Sequence, residues 1–366
     1  MKHKSALTLV LFISLLISGC SIQELPSHNQ AASSSLIITD ALGRELVFDM
    51  LPQRVVIAGR GATLLTDAAY LFPSASSRLV SLPARGTQDI TTFIQMLDPD
   101  SGNKTVIENE IGPEQLVALR PDVVLVKPYM QDQLGKPLEV LGIKVVYLSM
   151  ETPEEFFRDL STLGKLLGDE KRSSEITTYY QEQQNKIVEG LSDVQEADYP
   201  RLLLLYYSNR DGEVAFNVPP LNWIQTTLVK RSAAIPVWQD VEIGSGWTKV
   251  SFEQVAAWNP DQIYIIAYFD NPVEVVNSLE ADPQWQMLNA VQNDRLYDFP
   301  KDAISWDQAD PRWILGLTWL AKTAHPEHFA EVDMFHEAQN FFINMYNMDE
   351  KTFEEKLKPI LTGVTP

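Results

Sequence analysis

Residues 170–191 read EKRSSEITTYYQEQQNKIVEGL. The run holds no proline, and its one glycine stands next to last. Ile176, Tyr180, Ile187 and Leu191 recur at four- and seven-residue steps among polar residues. That spacing draws one narrow apolar stripe along a helix. A helix of this length spans roughly 33 Å at about 1.5 Å per residue. On either side the chain alternates between strand and helix patterns. The reading is a strut over 170–195 between two α/β lobes, one over 36–169 and one over 196–366. Function is then expected in the cleft the strut holds open. The alternative is an ordinary surface helix of one large domain.

With 366 residues the chain is long enough for two domains. Its 45% hydrophobic and 21% charged content marks it as globular. A net charge of −20 argues against nucleic acid or an anionic membrane surface as partner, since both would repel it. Lys2 and Lys4, then an apolar core over 6–17, have the layout of an export signal. The core is too short to span a membrane. Ile17-Ser18-Gly19-Cys20 closes the signal and resembles a bacterial lipobox, which makes Cys20 the lipid attachment point. Cys20 is the chain's one cysteine, so it has no internal disulfide partner. Residues 21–35, rich in Ser, Ala, Gln and Asn, read as a flexible tether.

In the first lobe, 36–40 and 44–49 read as a hairpin. Strands follow at 55–57, 78–82, 122–126 and 144–148, with helices at 62–72, 112–119 and 134–141. In the second lobe, strands are expected at 201–207, 262–267 and 295–299. Helices are expected at 223–229, 252–258 and 311–323, and the last forty residues read as amphipathic helices that pack back on the body. Strands alternating with helices imply a mostly parallel sheet covered on both faces. Ligands then bind beyond the carboxyl ends of the strands. In the first lobe those ends carry Arg60, Arg85, and Lys127 with Tyr129 close behind. In the second, Tyr268 ends a strand.

The segment 113–122, PEQLVALRPD, matches 252–261, FEQVAAWNPD, with a displacement of 139 residues. Each copy reads as a helix, Pro-Asp, a buried strand and then a tyrosine, Tyr129 or Tyr268. Two lobes of one construction are implied.

These features resemble a known family: the solute-binding proteins of bacterial ABC importers for iron-siderophores, haem, cobalamin and, in some members, oxyanions such as molybdate. The marks are Thr39-Asp40 with Gly43-Arg44, Gln53-Arg54-Val55-Val56, the two Glu-bearing Pro-Asp units, 141–146 (LGIKVV) and 285–300 (WQMLNAVQNDRLYDFP). The resemblance covers about residues 37–325. It implies an α/β fold of two Rossmann-like lobes joined by one long helix, with the ligand cleft between them. It also implies one exposed acid per lobe for docking to the permease, Glu114 and Glu253. Residues 246–251 (GWTKVS) and 305–312 (SWDQADPR) are similar to segments that reach the ligand in the cobalamin-binding member. The resemblance thus adds Trp247, Trp306, Asp307 and Arg312 to the ligand-binding candidates. Arg85 stands in a Gly-rich loop where an aromatic is expected of the cobalamin protein, which turns the reading from cobalamin.

All eight tryptophans lie between 223 and 319. Trp258, Trp313 and Trp319 sit within helical patterns and read as core, and Trp285 as a plug of its lobe. Trp247 and Trp306 stand in loops, where lining the cleft is more natural. Arg60, Arg85 and Lys127 come from one lobe and suit an anionic ligand. His325, His328 and His336 come late in the chain and do not form a strand-end pair, so no resident metal or cofactor is expected. A Gly-x-Ser-x-Gly elbow, a Walker loop and a cysteine nucleophile are all missing from the sequence, which leaves an enzyme in the cleft as the different-class alternative.

The expectation is an exported, lipid-anchored, monomeric protein that hands a small molecule to an ABC importer permease. A ferric siderophore or similar anionic chelate is the expected ligand. Molybdate or tungstate, and cobalamin or haem, are the alternatives within the fold.

Overall fold

Asp169 starts the strut. Its carboxylate accepts the Arg172 backbone N–H at 3.0 Å, which satisfies one of the free donors of a helix start. The helix runs Glu170–Gly190 and buries Ser173, Ile176, Tyr180 and Ile187. The stripe read from the sequence is therefore its packed face, except that Leu191 is half-buried. The computed structural model describes residues 35–84, 90–210 and 212–364. The signal, Cys20, the tether up to residue 34 and Arg85 lie outside the described residues.

Ahead of the strut, β1 (Leu36–Thr39) and β2 (Glu45–Phe48) form the antiparallel hairpin. Then come β3 (Val55–Ile57), β4 (Ser81–Pro83), β5 (Thr105–Ile107), β6 (Val123–Val126) and β7 (Val145–Tyr147). β3 pairs with β6, β6 with β7, and β4 with β5, all parallel. A parallel bridge from Val55 to Leu79 joins the two groups. The spatial order β5-β4-β3-β6-β7 is that of a doubly wound sheet. All residues of β3, β6 and β7 are buried, as a sheet covered on both faces requires. Each buried Val or Ile contributes about 1.5–3 kcal/mol.

Beyond the strut come β8 (Arg201–Arg210), β9 (Glu213–Val218), β10 (Ile235–Pro236), β11 (Thr248–Val250), β12 (Gln262–Ala267) and β13 (Leu296–Asp298). Their order is β11-β9-β8-β12-β13, with β10 beside the start of β8. β8, β12 and β13 are parallel, and β9 returns antiparallel to β8.

The structure adds elements absent from the sequence reading: β5, β9 and the helices Ile90–Leu97, Pro153–Leu167 and Pro272–Glu280. The strand expected at 78–82 opens instead as a short helix, Ala75–Arg78, and the strand begins at Ser81.

The repeat is present in detail. Arg120 and Asn259 both take the left-handed conformation, with φ of 51° and 46°. Asp122 then accepts the backbone N–H groups of Gln53 and Arg54 at 2.7 and 2.9 Å. Asp261 accepts that of Arg201 at 2.7 Å. Arg54 donates to the Arg120 carbonyl at 3.0 Å, and Arg201 to the Asn259 carbonyl at 3.2 Å. Each Pro-Asp unit thus clamps the start of a central strand, β3 or β8. The clamp works through a charge-assisted hydrogen bond.

The late helix Met334–Tyr346 crosses back to the first sheet's helices. Phe93 packs edge-on against Phe342 and Tyr346, with ring centroids 5.7 and 5.0 Å apart. Arg172 of the strut donates to the carbonyls of Leu71, Asn344 and Met345.

Candidate ligand cleft

The strand ends named by topology do converge. A cavity of about 660 Å³ is lined on one side by Arg60, Leu64, Tyr129 and Glu151. Trp223, Gln225, Ser245, Trp247, Tyr268, Gln308 and Ala309 line the other. Tyr129 and Tyr268, the equivalent tyrosines of the repeat, stand on opposite walls.

Gly61 makes the first wall possible. It caps the helix Ala62–Ala69 at φ 83°, and a Cβ there would lie 2.5 Å from the Tyr129 hydroxyl. With no side chain in the way, Tyr129 donates to the Arg60 carbonyl at 3.1 Å. The Arg60 guanidinium lies 5.9 Å from the centre of the Tyr129 ring. Tyr129 is 55% exposed, yet partial desolvation of its hydroxyl against the wall, then Glu151, pushes it up to about 12.

The second wall is a stack of rings. Tyr268 lies 4.7 Å from Tyr206, Tyr206 lies 5.1 Å from Trp247, and Trp247 meets Trp223 edge-on at 5.7 Å. Behind it Asp307, fully buried, accepts from the Tyr268 hydroxyl at 2.6 Å, Gln225 Nε2 at 3.1 Å and Ser305 Oγ at 2.5 Å. Burial raises the Asp307 carboxyl above its ordinary value, against the pull of those three donors. Burial first, then Asp307, raises the Tyr268 hydroxyl well above its ordinary value. The Tyr268 hydroxyl thus keeps its proton, and the three donors are what favour the carboxylate form of Asp307 against its burial.

Arg60, Tyr129, Trp247 and Tyr268 therefore stand where the sequence placed them. Lys127, Trp306, Asp307 and Arg312 do not line the cavity. Lys127 is 1% exposed and donates to Glu151 at 2.9 Å and to the Ser149 carbonyl. A cation at that depth needs a carboxylate, and it has one. Trp306 is turned inward, its indole N–H donating to Asp302 at 2.8 Å. Arg312 is fully buried, binding Asp302 through Nε at 2.8 Å and Asp67 through a second ion pair. Among the described lining residues Arg60 is thus the one cation. The expected trio of cations shrinks accordingly.

Trp223, Gln225, Glu151, Ser245, Leu64 and Ala309 were not singled out by sequence. Glu151 follows the end of β7, so the strand-end rule applied there would have reached it. Gln308 and Ala309 lie inside the 305–312 segment, one and two residues beyond the acid chosen. Trp223 and Gln225 open the helix Ile224–Arg231 after Pro219-Pro220, and their pattern resembles that of any helix start. Among the described residues no helix is long and apolar enough to cross a membrane, and no cluster of acids, histidines or cysteines could hold a metal.

Comparison with known proteins gives the setting. The periplasmic binding protein family matches residues 79–303. The molybdate-binding protein MolA of Haemophilus influenzae is 25% identical over 353 residues, spanning 89% of this chain and 95% of its own. The Fe(3+)-citrate-binding protein YfmC of Bacillus subtilis is 22% identical over 306 residues, spanning 82% and 90%. A periplasmic solute-binding protein from Veillonella parvula superposes with a TM-score of 0.70 at 20% identity, over 88% of this chain and 97% of its own. That last likeness bears on the fold. Two lobes on one long helix, a cleft at their strand ends and the match over most of the chain agree: this protein belongs to the periplasmic binding protein family, as a solute-binding protein of an ABC importer and not an enzyme.

Proposed function

We propose that the solute is a metal chelate, of the ferric siderophore class, delivered to the importer's permease. The observation that carries this is the wall of the cavity: about 660 Å³ faced by Tyr129, Trp223, Trp247 and Tyr268, with one guanidinium, Arg60. Flat aromatic faces suit the apolar flanks of an organic chelate. A bare oxyanion is better held by several converging donors, and Lys127 is taken up by Glu151. The name of the Haemophilus influenzae relative makes molybdate, or tungstate, the second reading. Calorimetric titration with a ferric trihydroxamate, ferric citrate, molybdate, haemin and a corrinoid tests the choice. Tight binding of molybdate with none of the ferric chelates overturns it.

The rest of the pathway follows from the same reading. Glu114 and Glu253 are exposed in the first turns of the two equivalent helices, and serve as the docking acids of a monomer. Cys20 carries the lipid that holds the exported protein at the cell envelope. Cys20→Ala should release the protein into the soluble fraction or leave its precursor uncleaved. Mature protein still fractionating with membranes would refute the anchor.

A further inference from the structure

The second wall of the cleft has a hydrogen-bonding polarity, and Asp307 sets it. A tyrosine hydroxyl has a single proton to give. That of Tyr268 goes to Asp307 at 2.6 Å, so its oxygen can meet a solute only as an acceptor. Gln225 gives Nε2 to the same carboxylate at 3.1 Å. Asp307 is an acceptor, so this bond fixes which end of the amide is which. Gln225 is 5% exposed and lines the cavity, and its Oε1 has no partner. A buried acceptor left unpaired is costly, and a solute donor is what would satisfy it. Ser305 holds the other carboxylate oxygen at 2.5 Å. Lys301 Nζ donates to the carbonyls of Ala267 and Tyr268 at 3.2 and 3.4 Å.

The opposite wall differs. Arg60 offers donors alone, and the one acid among the described residues on that side, Glu151, is engaged by Lys127 at 2.9 Å. Gln308, which lines the same side as Tyr268, has an unpaired Nε2 that can give a donor at the edge of that surface.

We propose that Asp307 is a positioning residue that makes the Tyr268–Gln225 surface an acceptor wall, so that the solute must bring N–H or O–H donors to it while its anionic edge faces Arg60. This rests on the chelate reading above and narrows it to chelates with free hydroxyl, amide or amine groups on one side. A tetraoxoanion has acceptors alone, and at this wall it would meet Tyr268 and Gln225 acceptor to acceptor.

The test uses the full-length protein and three probes: a ferric trihydroxamate ending in a primary amide, the same chelate ending in a dimethylamide, and molybdate. The primary amide should bind roughly tenfold more tightly than the dimethylamide. The ratio should fall toward one in Tyr268→Phe and in Asp307→Asn, since an asparagine at 307 can itself donate and free Gln225 to turn. A buried acid with a merely structural role would change stability and leave that ratio alone. Equal affinity for the two chelates in the wild type overturns the donor requirement and leaves the chelate reading intact. Binding of molybdate alone overturns both. A measurement without any ligand reads the polarity directly. The tyrosine Raman doublet, taken as wild type minus Tyr268→Phe, should show the intensity ratio of a hydrogen-bond donor. The ratio of an acceptor would overturn the proposal.

Discussion

Replacing Arg312 by methionine should be among the most damaging single changes available to this protein. The guanidinium is fully buried, pairs with Asp302 and Asp67, and lies 4.5 Å from the centre of the Phe93 ring. Methionine fills much of the same volume, so the loss is chiefly electrostatic. Two carboxylates would remain in the interior without their cation, a situation that costs about 3–5 kcal/mol. The damage should depend on pH, and its sign can be worked out. Burial already holds the Asp67 carboxyl up at about 6, against the pull of Arg312. Burial also raises Asp310 well above its ordinary value. At Asp67 and Asp310 burial outweighs the pull of the arginine, so the folded protein holds protons there that the unfolded chain gives up. Stability of that kind is fully present below the unfolded carboxyl value near ~4 and is lost as pH rises through the folded one. Removing Arg312 takes away the positive charge that lowers Asp67, so the folded value climbs and the loss extends to higher pH. Urea unfolding at about pH 5 and about pH 7.5 should therefore show the larger penalty at the higher pH. A variant within about 1 kcal/mol of wild type near neutrality, or one hurt more in acid, would refute this account of the cluster.

Trp223→Ala and Trp247→Ala should each weaken binding of a ferric trihydroxamate by about 1–3 kcal/mol, and unchanged affinity in both, with the fold intact, would remove the rings from the site. Trp306→Phe should do the opposite, lowering stability by about 1–3 kcal/mol through the donor that buried Asp302 loses while leaving affinity unchanged. Arg60→Ala should weaken an anionic chelate roughly tenfold and flatten its salt dependence, with a neutral chelate little affected. Gly316→Ala should cost about 1–3 kcal/mol, because its Cβ would stand 2.2 Å from the Trp306 carbonyl oxygen. Wild-type stability in thermal unfolding would show that this contact relaxes.

The strut, the hairpin, β3, β6, β8 and β12 were legible because each is a long periodic run or a dense apolar block. So were the paired Pro-Asp units, since the same backbone turn needed the same residues twice. β5 escaped because two of its three residues are exposed, and β9 because its apolar and polar residues do not alternate cleanly. At the site, strand ends with Tyr129 and Tyr268 were readable from topology. The fates of Lys127, Trp306 and Arg312 were not, since each is decided by a carboxylate far away or unremarked in sequence: Glu151, Asp302 and Asp67. A cation or an indole looks the same in a sequence whether it meets a ligand or an internal acid.

The helix Met334–Tyr346 has a consequence for how the protein is made. A chain leaves the ribosome, and crosses a membrane, with its N-terminus first. The first lobe's strands and the helix that carries Phe93 are therefore complete long before Phe342 and Tyr346 arrive to cover that ring. Until then Phe93 has an open face, and Arg172 lacks the two carbonyls it will later bind. The earliest-made half of the molecule is finished by a helix made near the end. Final closure of the structure thus waits on release of the whole chain, and a copy cut short before Met334 would carry its own exposed flag for proteases.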